Sequence, residues 1–416
     1  MLCIEIISIG DELLIGQTIN TNAAWIGQEL LEVGQGVSRV TTVGDDLAQI
    51  TAALAEAEAR ADYILVTGGL GPTNDDITRT AVCDYFGVGL IRDEALLDHI
   101  RALFERRHLP MARVNEDQAL VPESAQLIHN DRGTAPGYRL MRAGKRFYFM
   151  PGVPYEMQAM MKGSILPELQ AANTGEILLT HHIATIGIAE STLYERIGDI
   201  AAIETLARIA FLPSPFGVRI RLNAAGATTE AARQRLEEAA ARVRRNIQPW
   251  IFAERNITLE AALGEELVAR QERLAVAESC TGGLIANRLT NIAGSSRFFE
   301  RGVVSYSNAA KIALLGVPEP LIARHGAVSA AVAEAMAVGI RRISSTEHGL
   351  GITGIAGPDG GSAAKPVGLV FVGYAGQSGT TVEEHHVISG DRLINKERFA
   401  ALALNLLRKQ LFHIQV

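Results

Sequence analysis

The chain has 416 residues, 48% of them hydrophobic and 20% charged, with a net charge of −7. That length predicts two to four domains at about 100–200 residues each, and the mild acidity gives no overall field favouring nucleic acid or an anionic membrane. Three cysteines, Cys3, Cys83 and Cys280, form no CxxC pair, which argues against a disulfide framework or thiolate zinc site and for a reducing cytoplasm.

The opening run MLCIEIISIG has no basic n-region and is interrupted by Glu5, so Ile4–Ile9 reads as a buried strand and not as a signal peptide. A helix follows over Ala23–Glu32, capped by Thr21 or Asn22, then a strand over Ser38–Val43 and an Ala-rich helix over Leu47–Ala59. Tyr63–Thr67 reads as a strand ending in a Gly-rich turn, with helices over Thr78–Phe86 and Glu94–Arg106 and a strand over Lys145–Met150. Strands alternating with helices predict a mostly parallel sheet covered on both faces. Residues 171–255 read as a small α+β unit. Strands are expected over His182–Gly187 and Val218–Ala224, with helices over Ser191–Ile200 and Glu230–Arg245. From Thr258 the pattern gives helix Leu259–Gln271, strand Leu274–Glu278, helix Thr281–Leu289 and strand Phe298–Tyr306. A Ser-capped helix then spans Ser329–Ile343, strands Leu350–Ile355 and Gly368–Tyr374 follow, and helix Ile394–Leu407 comes last. No apolar run approaches the roughly 20 residues of a spanning helix.

Four stretches of the last third carry chemistry. Glu278-Ser279-Cys280-Thr281-Gly282-Gly283 lies between a strand and a helix. The free N–H groups of a helix start there would favour developing negative charge, and the glycines would admit a ligand. The alternative is an N-cap Ser279 or Thr281 beside a small buried cysteine. Ser305-Tyr306-Ser307-Asn308-Ala309-Ala310-Lys311 brings a lysine into a chain where lysine is scarce against arginine. Desolvation can make such a lysine a base, although most lysines at helix starts are solvated. Thr353-Gly354-Ile355-Ala356-Gly357-Pro358 runs from a strand into a turn that suits a phosphate or planar ring, or is simply a tight turn. Arg392, in Ser389-Gly390-Asp391-Arg392, can grip a phosphate bidentately or pair with a carboxylate.

Together these motifs, AESCTGG, SYSNAAK, HGAVS, GITGIAGPDGG, KPVGLVFVG and GDR, resemble the CinA C-terminal domain, a nicotinamide-mononucleotide deamidase of the serine/lysine amidohydrolase type. The resemblance implies Ser279 as nucleophile, Lys311 as base and Tyr306 beside them as proton relay. It implies substrate contacts from Cys280, Thr281, Gly282, Gly283, Thr353, Gly354, Gly357, Arg392 and Lys396, with no cofactor required. Lys396 stands where the family often has an arginine, so the bidentate fork is lost there or Arg398 takes its place. Cys280 is the rival nucleophile, since a thiolate at a helix start is activated.

The first third holds Gly10-Asp11, Gly44-Asp45-Asp46 and Gly68-Gly69-Leu70-Gly71-Pro72-Thr73-Asn74-Asp75-Asp76. Backbone amides of Gly68, Gly69, Gly71 and Thr73 can cradle phosphate, with Gly10, Asp11 and Pro72 alongside. Carboxylates so close to a phosphate predict an intervening divalent metal on Asp45, Asp75 and Asp76, unless the last two only cap the helix that follows. SIGDELL, TGGLGPTNDD and PGVPYEM resemble the molybdopterin-binding-like domain of CinA, some members of which hydrolyse ADP-ribose with a divalent metal. The middle segment resembles the family's KH-like linker, and no GxxG clamp for RNA is evident.

The expected fold is multidomain α/β. A molybdopterin-binding-like α/β domain spans 1–170, a KH-like α+β domain 171–255 and a CinA-type α/β deamidase domain 256–416. The expected function is bifunctional pyridine-nucleotide salvage by a cytoplasmic homodimer acting on nicotinamide mononucleotide and ADP-ribose. The rival expectations are a molybdopterin-binding cofactor protein and a non-enzymatic scaffold associated with competence.

Overall fold

The structure, a computed structural model, describes residues 2–73, 76–172, 177–214, 217–387, 389 and 391–414. The chain folds as two compact units, residues 1–180 with 224–233 and residues 181–223 with 234–416.

The first unit is built on a six-stranded sheet in the order Val37–Val43, Ile4–Ile9, Tyr63–Thr67, Lys145–Met150, Gly137–Arg142, Gln126–Ile128. The first four strands are parallel and the last two antiparallel. Ile4–Ile9 is buried along its whole length because both faces are covered. Ile7, Ile9, Ile64 and Val66 pack under helices Leu47–Arg60 and Glu94–Arg106, while Ile4, Ile6 and Leu65 pack under helix Thr21–Glu32 and the helices after Pro154. Asn20, and neither Thr21 nor Asn22, caps the first long helix, accepting from Ala23 N–H at 3.0 Å. The hairpin of Gln126–Ile128 and Gly137–Arg142 has no counterpart in the sequence reading.

A four-stranded sheet follows in the order Arg208–Ser214, Gly217–Gly226, Ile177–Thr185, Ile251–Ala253. The helix expected over 191–200 is two helices, Glu190–Ile197 and Ile200–Glu204. Gly198, at φ 84°, ends the first, and the Asp199 carboxylate caps the second.

The last sheet runs Phe299–Val304, Leu274–Glu278, His348–Gly354, Leu369–Gly376, Gly379–His386. Its first three strands are parallel and its last two antiparallel. Leu274, Val276, Leu350, Ile352, Val370 and Val372 fill one face against helix Arg392–Leu411. The opposite face is made of small residues. Gly351 and Gly373 are cross-strand partners, and a Cβ on either would collide with the backbone of helix Ala330–Ser344 at Ala333. That helix therefore lies tight on the sheet, with Val332, Met336 and Ile340 packed on Ala275 and Ala277. Gly373→Val is expected to lower stability by about 1–3 kcal/mol through overpacking, read as a drop in thermal midpoint. An unchanged midpoint would refute the tight contact.

Arg408, 1% exposed, sits near the end of helix Arg392–Leu411. It donates to the carbonyls of Pro249 at 2.9 Å and Ile251 at 3.3 Å, and burial pushes its pKa down to about 10. Among the described residues no helix is long and apolar enough to cross a membrane.

Candidate active site

Three loops leave the C-terminal ends of three adjacent parallel strands in the last sheet, the edge at which open α/β sheets bind ligands. Strand Leu274–Glu278 leads into Ser279–Gly283, strand Phe299–Val304 into Ser305–Ser307, and strand His348–Gly354 into Ile355–Gly361. Helix Asn308–Leu315, capped by the Ser307 hydroxyl, brings Lys311 back under the first loop.

Lys311, 1% exposed, places Nζ 2.9 Å from Ser279 Oγ. The same nitrogen donates to the carbonyls of Ser305 at 2.8 Å and Tyr306 at 3.1 Å. Among the described residues no carboxylate pairs with it, and burial lowers its pKa below the usual lysine value of 10.5. Ser279 is 8% exposed and opens onto a cleft of about 260 Å3, bounded also by Cys280, Tyr306, Thr353, Gly357 and Arg392.

The helix after Ser279 starts at Leu284, not Thr281, so Ser279 and Cys280 precede it by a full turn. Its first amides do not face the cleft. The buried carboxylate of Glu278 accepts from Gly283 N–H at 2.9 Å, Ile285 N–H at 3.1 Å and Ala286 N–H at 2.9 Å. Neither Ser279 nor Thr281 is therefore the cap. Ser279 N–H donates to Ile352 O and Gly282 N–H to Ser279 O, which leaves the amides of Cys280 and Thr281 without a protein oxygen among the described residues. Gly282 and Gly283 have φ of 63° and 95°, a backbone that favours glycine.

The Cys280 thiol is buried, and that burial pushes its pKa up to about 12, with the Glu278 charge adding to it. Burial thus works against the activated thiolate expected from a helix start, and the first helix amides are turned to Glu278 instead of the thiol. Tyr306 enters through its carbonyl. Its ring is 63% exposed and its hydroxyl accepts from Arg392 at 3.4 Å, so the relay role has no geometric basis while Lys311 meets Ser279 directly. Arg392 also donates to Gly357 O at 2.5 Å, tying the last helix to the Gly-rich turn. Thr353 donates to Ala327 O at 2.9 Å, and Lys365 holds His325 O and Val328 O at 2.7 Å each, which fixes the wall formed by Ala327 and Val328. Gly354 lines the cleft, while Lys396 lies beside Gly282 and does not line it. Glu278, Asp359 and Lys365 were missed as site residues; a carboxylate directly before the nucleophile is the one signal that could have flagged the first.

In the first unit a smaller cleft of about 110 Å3 lies at the ends of strands Ile4–Ile9 and Tyr63–Thr67. Of the expected contacts only Gly68 lines it, joined by Glu12, Asn20, Asn22 and Gly152. Gly10, Asp11, Gly69, Gly71, Pro72 and Thr73 do not. Asp11 and Asp45 each accept the other's backbone N–H, at 3.1 and 3.0 Å. Asp76 accepts from Thr73 N–H at 2.8 Å and Thr73 Oγ at 2.5 Å, closing its own turn. Asp75 lies outside the described residues. Among the described residues no three His, Cys, Asp or Glu side chains converge to hold a metal, so the carboxylates as placed do not fit one. Burial raises the Asp45 pKa, and the charges of Asp11, Glu12 and Asp76 add to the rise.

Residues 256–411 match the family described as "CinA C-terminal domain", residues 5–171 the "Probable molybdopterin binding domain" and residues 180–253 the "Damage-inducible protein CinA KH domain". A CinA-like protein of Chloroherpeton thalassium is 44% identical over 98% of this chain and 99% of its own length. A protein of Caldicellulosiruptor bescii named as competence-damage inducible is 42% identical, over 98% of each chain. The crystal structure of the Thermoplasma acidophilum protein CinA, of unknown function by its own description, is 37% identical, with a TM-score of 0.36, over 38% of this chain and 94% of that one. Near-complete coverage at such identity settles membership: the chain belongs to the CinA family, with a molybdopterin-binding-like domain, a CinA KH domain and a CinA C-terminal domain in that order.

Proposed function

We propose that the cleft of the C-terminal domain hydrolyses the carboxamide of nicotinamide mononucleotide to nicotinate mononucleotide and ammonia. The observation that carries the proposal is the 2.9 Å contact between a buried Lys311 and Ser279 Oγ. A neutral amine has two N–H bonds and one lone pair. The Ser305 and Tyr306 carbonyls take the two N–H bonds, which turns the lone pair toward the serine hydroxyl. Lys311 then accepts the Ser279 proton as Oγ attacks the carboxamide carbon. The free amides of Cys280 and Thr281 receive the developing oxyanion. Lys311 returns its proton to the leaving nitrogen, ammonia departs, and water, activated by the same amine, releases the acid from Ser279. Arg392 at the cleft mouth offers a cation to the nucleotide phosphate. The choice of this amide over others rests on the family resemblance. Ammonia release from nicotinamide mononucleotide by the purified chain tests it, and no release at any pH between 6 and 10 would end the proposal.

A second reading assigns ADP-ribose hydrolysis to the molybdopterin-binding-like domain. It is supported by the cleft at Gly68 and by the match of residues 5–171 to the molybdopterin-binding family. Because the described carboxylates are committed to backbone donors, no step is assigned to a metal. The expected result is AMP and ribose phosphate from ADP-ribose only when a divalent cation is added. Absence of product across magnesium, manganese, cobalt and zinc would refute it.

A further inference from the structure

We propose that Glu278 is the positioning residue of the dyad, fixing the nucleophile through its side chain and the base through its backbone. The inference rests on the Ser279–Lys311 reading and goes beyond it by naming what holds the two groups together.

Glu278 is the last residue of its strand and is 1% exposed. Its carboxylate spans the turn that carries Ser279 and grips three amides on the far side, at Gly283, Ile285 and Ala286. Backbone bonds from Ser279 N–H to Ile352 O and from Gly282 N–H to Ser279 O hold the start of the turn, and no side chain other than that of Glu278 is seen to hold its far end among the described residues. The helix cap position is Gly283, which offers no side chain, and two consecutive glycines lie in the left-handed region. Such a turn is locally permissive, so its shape has to be imposed from outside. The buried Thr281 hydroxyl, unpartnered in the structure, does not impose it. Glu278 also acts in the other direction. Its carbonyl accepts Ser305 N–H at 2.8 Å, and the Ser305 carbonyl accepts Lys311 Nζ at 2.8 Å. A path of hydrogen bonds thus runs from the nucleophile's turn through Glu278 and Ser305 to the base.

The electrostatics agree with this assignment. Burying a carboxylate is costly unless hydrogen bonds and a favourable field offset it, and the start of a helix supplies both. Glu278 takes the amides of Gly283, Ile285 and Ala286, while those of Cys280 and Thr281, next to Ser279, have no oxygen partner among the described residues. Its charge also disfavours a thiolate at Cys280.

The test compares wild type with Glu278→Gln, an isostere whose NH2 group meets amide donors where an acceptor is needed. Two readouts are taken below both melting points. One is the rate at which a fluorophosphonate probe labels Ser279, and the other is kcat and KM for ammonia release. The expected result is at least a tenfold fall in labelling rate and in kcat, with KM within about twofold. A merely structural Glu278 would lower the melting point and leave labelling per folded molecule unchanged, which overturns the proposal. If Glu278→Gln does not fold, Glu278→Asp decides, since it keeps the charge and shortens the reach. A folded Glu278→Asp with reduced kcat supports the proposal, and one with wild-type kcat overturns it. A wild type that is labelled at Ser279 but releases no ammonia overturns the substrate and leaves this inference to the labelling rates. A wild type that is not labelled at all overturns both.

Discussion

Ser279→Ala is expected to lower ammonia release from nicotinamide mononucleotide by at least about 10^4-fold, while Cys280→Ala loses no more than about tenfold. The two residues are adjacent on the same turn, so sequence position does not separate them. Their environments do. Ser279 Oγ has a base at 2.9 Å, whereas the Cys280 thiol, buried and near the Glu278 carboxylate, has its pKa pushed up to about 12. The thiolate population at neutral pH is then negligible, and a thiol is a poor nucleophile. The modest loss in Cys280→Ala comes from repacking a residue whose amide borders the cleft. Steady-state assays with both purified variants check the pair. A Ser279→Ala enzyme that kept activity while Cys280→Ala lost it would exchange the roles. Comparable, near-complete losses in both would mean that the turn, and not a single nucleophile, had been destroyed.

The alternation of apolar strands and amphipathic helices made the layered α/β architecture legible, because strands buried on both faces, such as Ile4–Ile9 and Tyr63–Thr67, are mostly apolar along their whole length. Two antiparallel pieces were not, although the antiparallel strands at 218–224 and 368–374 were. Gln126–Ile128 is three residues long, and Gly379–His386 is an exposed edge rich in Thr, Glu and His, so neither shows an apolar period. At the site, Ser279 and Lys311 were visible as residue types in motifs. The start of the helix after Ser279 was misread, because Glu278 caps from five residues upstream of the cap position, whereas local rules look for the capping oxygen at that position itself. Tyr306 was overread for the complementary reason. A tyrosine five residues before a lysine says nothing about whether its phenol or its carbonyl reaches the amine, and here the carbonyl does. In the first unit the Gly-rich turn marked the right strand end, but Gly69, Gly71, Pro72 and Thr73 do not line the cleft, and Thr73 donates to Asp76 instead. Spacing along a loop does not reveal that kind of self-satisfaction.

Lys311→Arg and Lys311→Met are expected to reduce kcat by about 10^2–10^4-fold, the range of a general base. The arginine variant is the sharper test, because it retains the cation and the hydrogen-bond donors yet does not give up a proton. If Lys311 served only to place charge near Ser279, arginine would preserve much of the rate. The pH behaviour follows from the direction of the lysine shift. With its pKa lowered by burial, the reactive neutral form gains population as pH rises, so kcat/KM climbs along an alkaline limb centred below 10.5 and then levels off. The same shift is linked to stability. Between the lowered native value and the unfolded value of 10.5 the unfolded chain binds more protons than the native one, so wild-type stability rises with pH across that window. Below the window the cost of the buried ammonium is fully present. Lys311→Met lacks the titration, and the stability difference between the two proteins therefore moves in favour of wild type as pH is raised toward 10.5. Denaturant titrations of both proteins at pH 7 and at pH 10 measure that difference. If the gap stays constant while kcat/KM still shows its alkaline limb, the limb belongs to another group and Lys311 loses its place as the base.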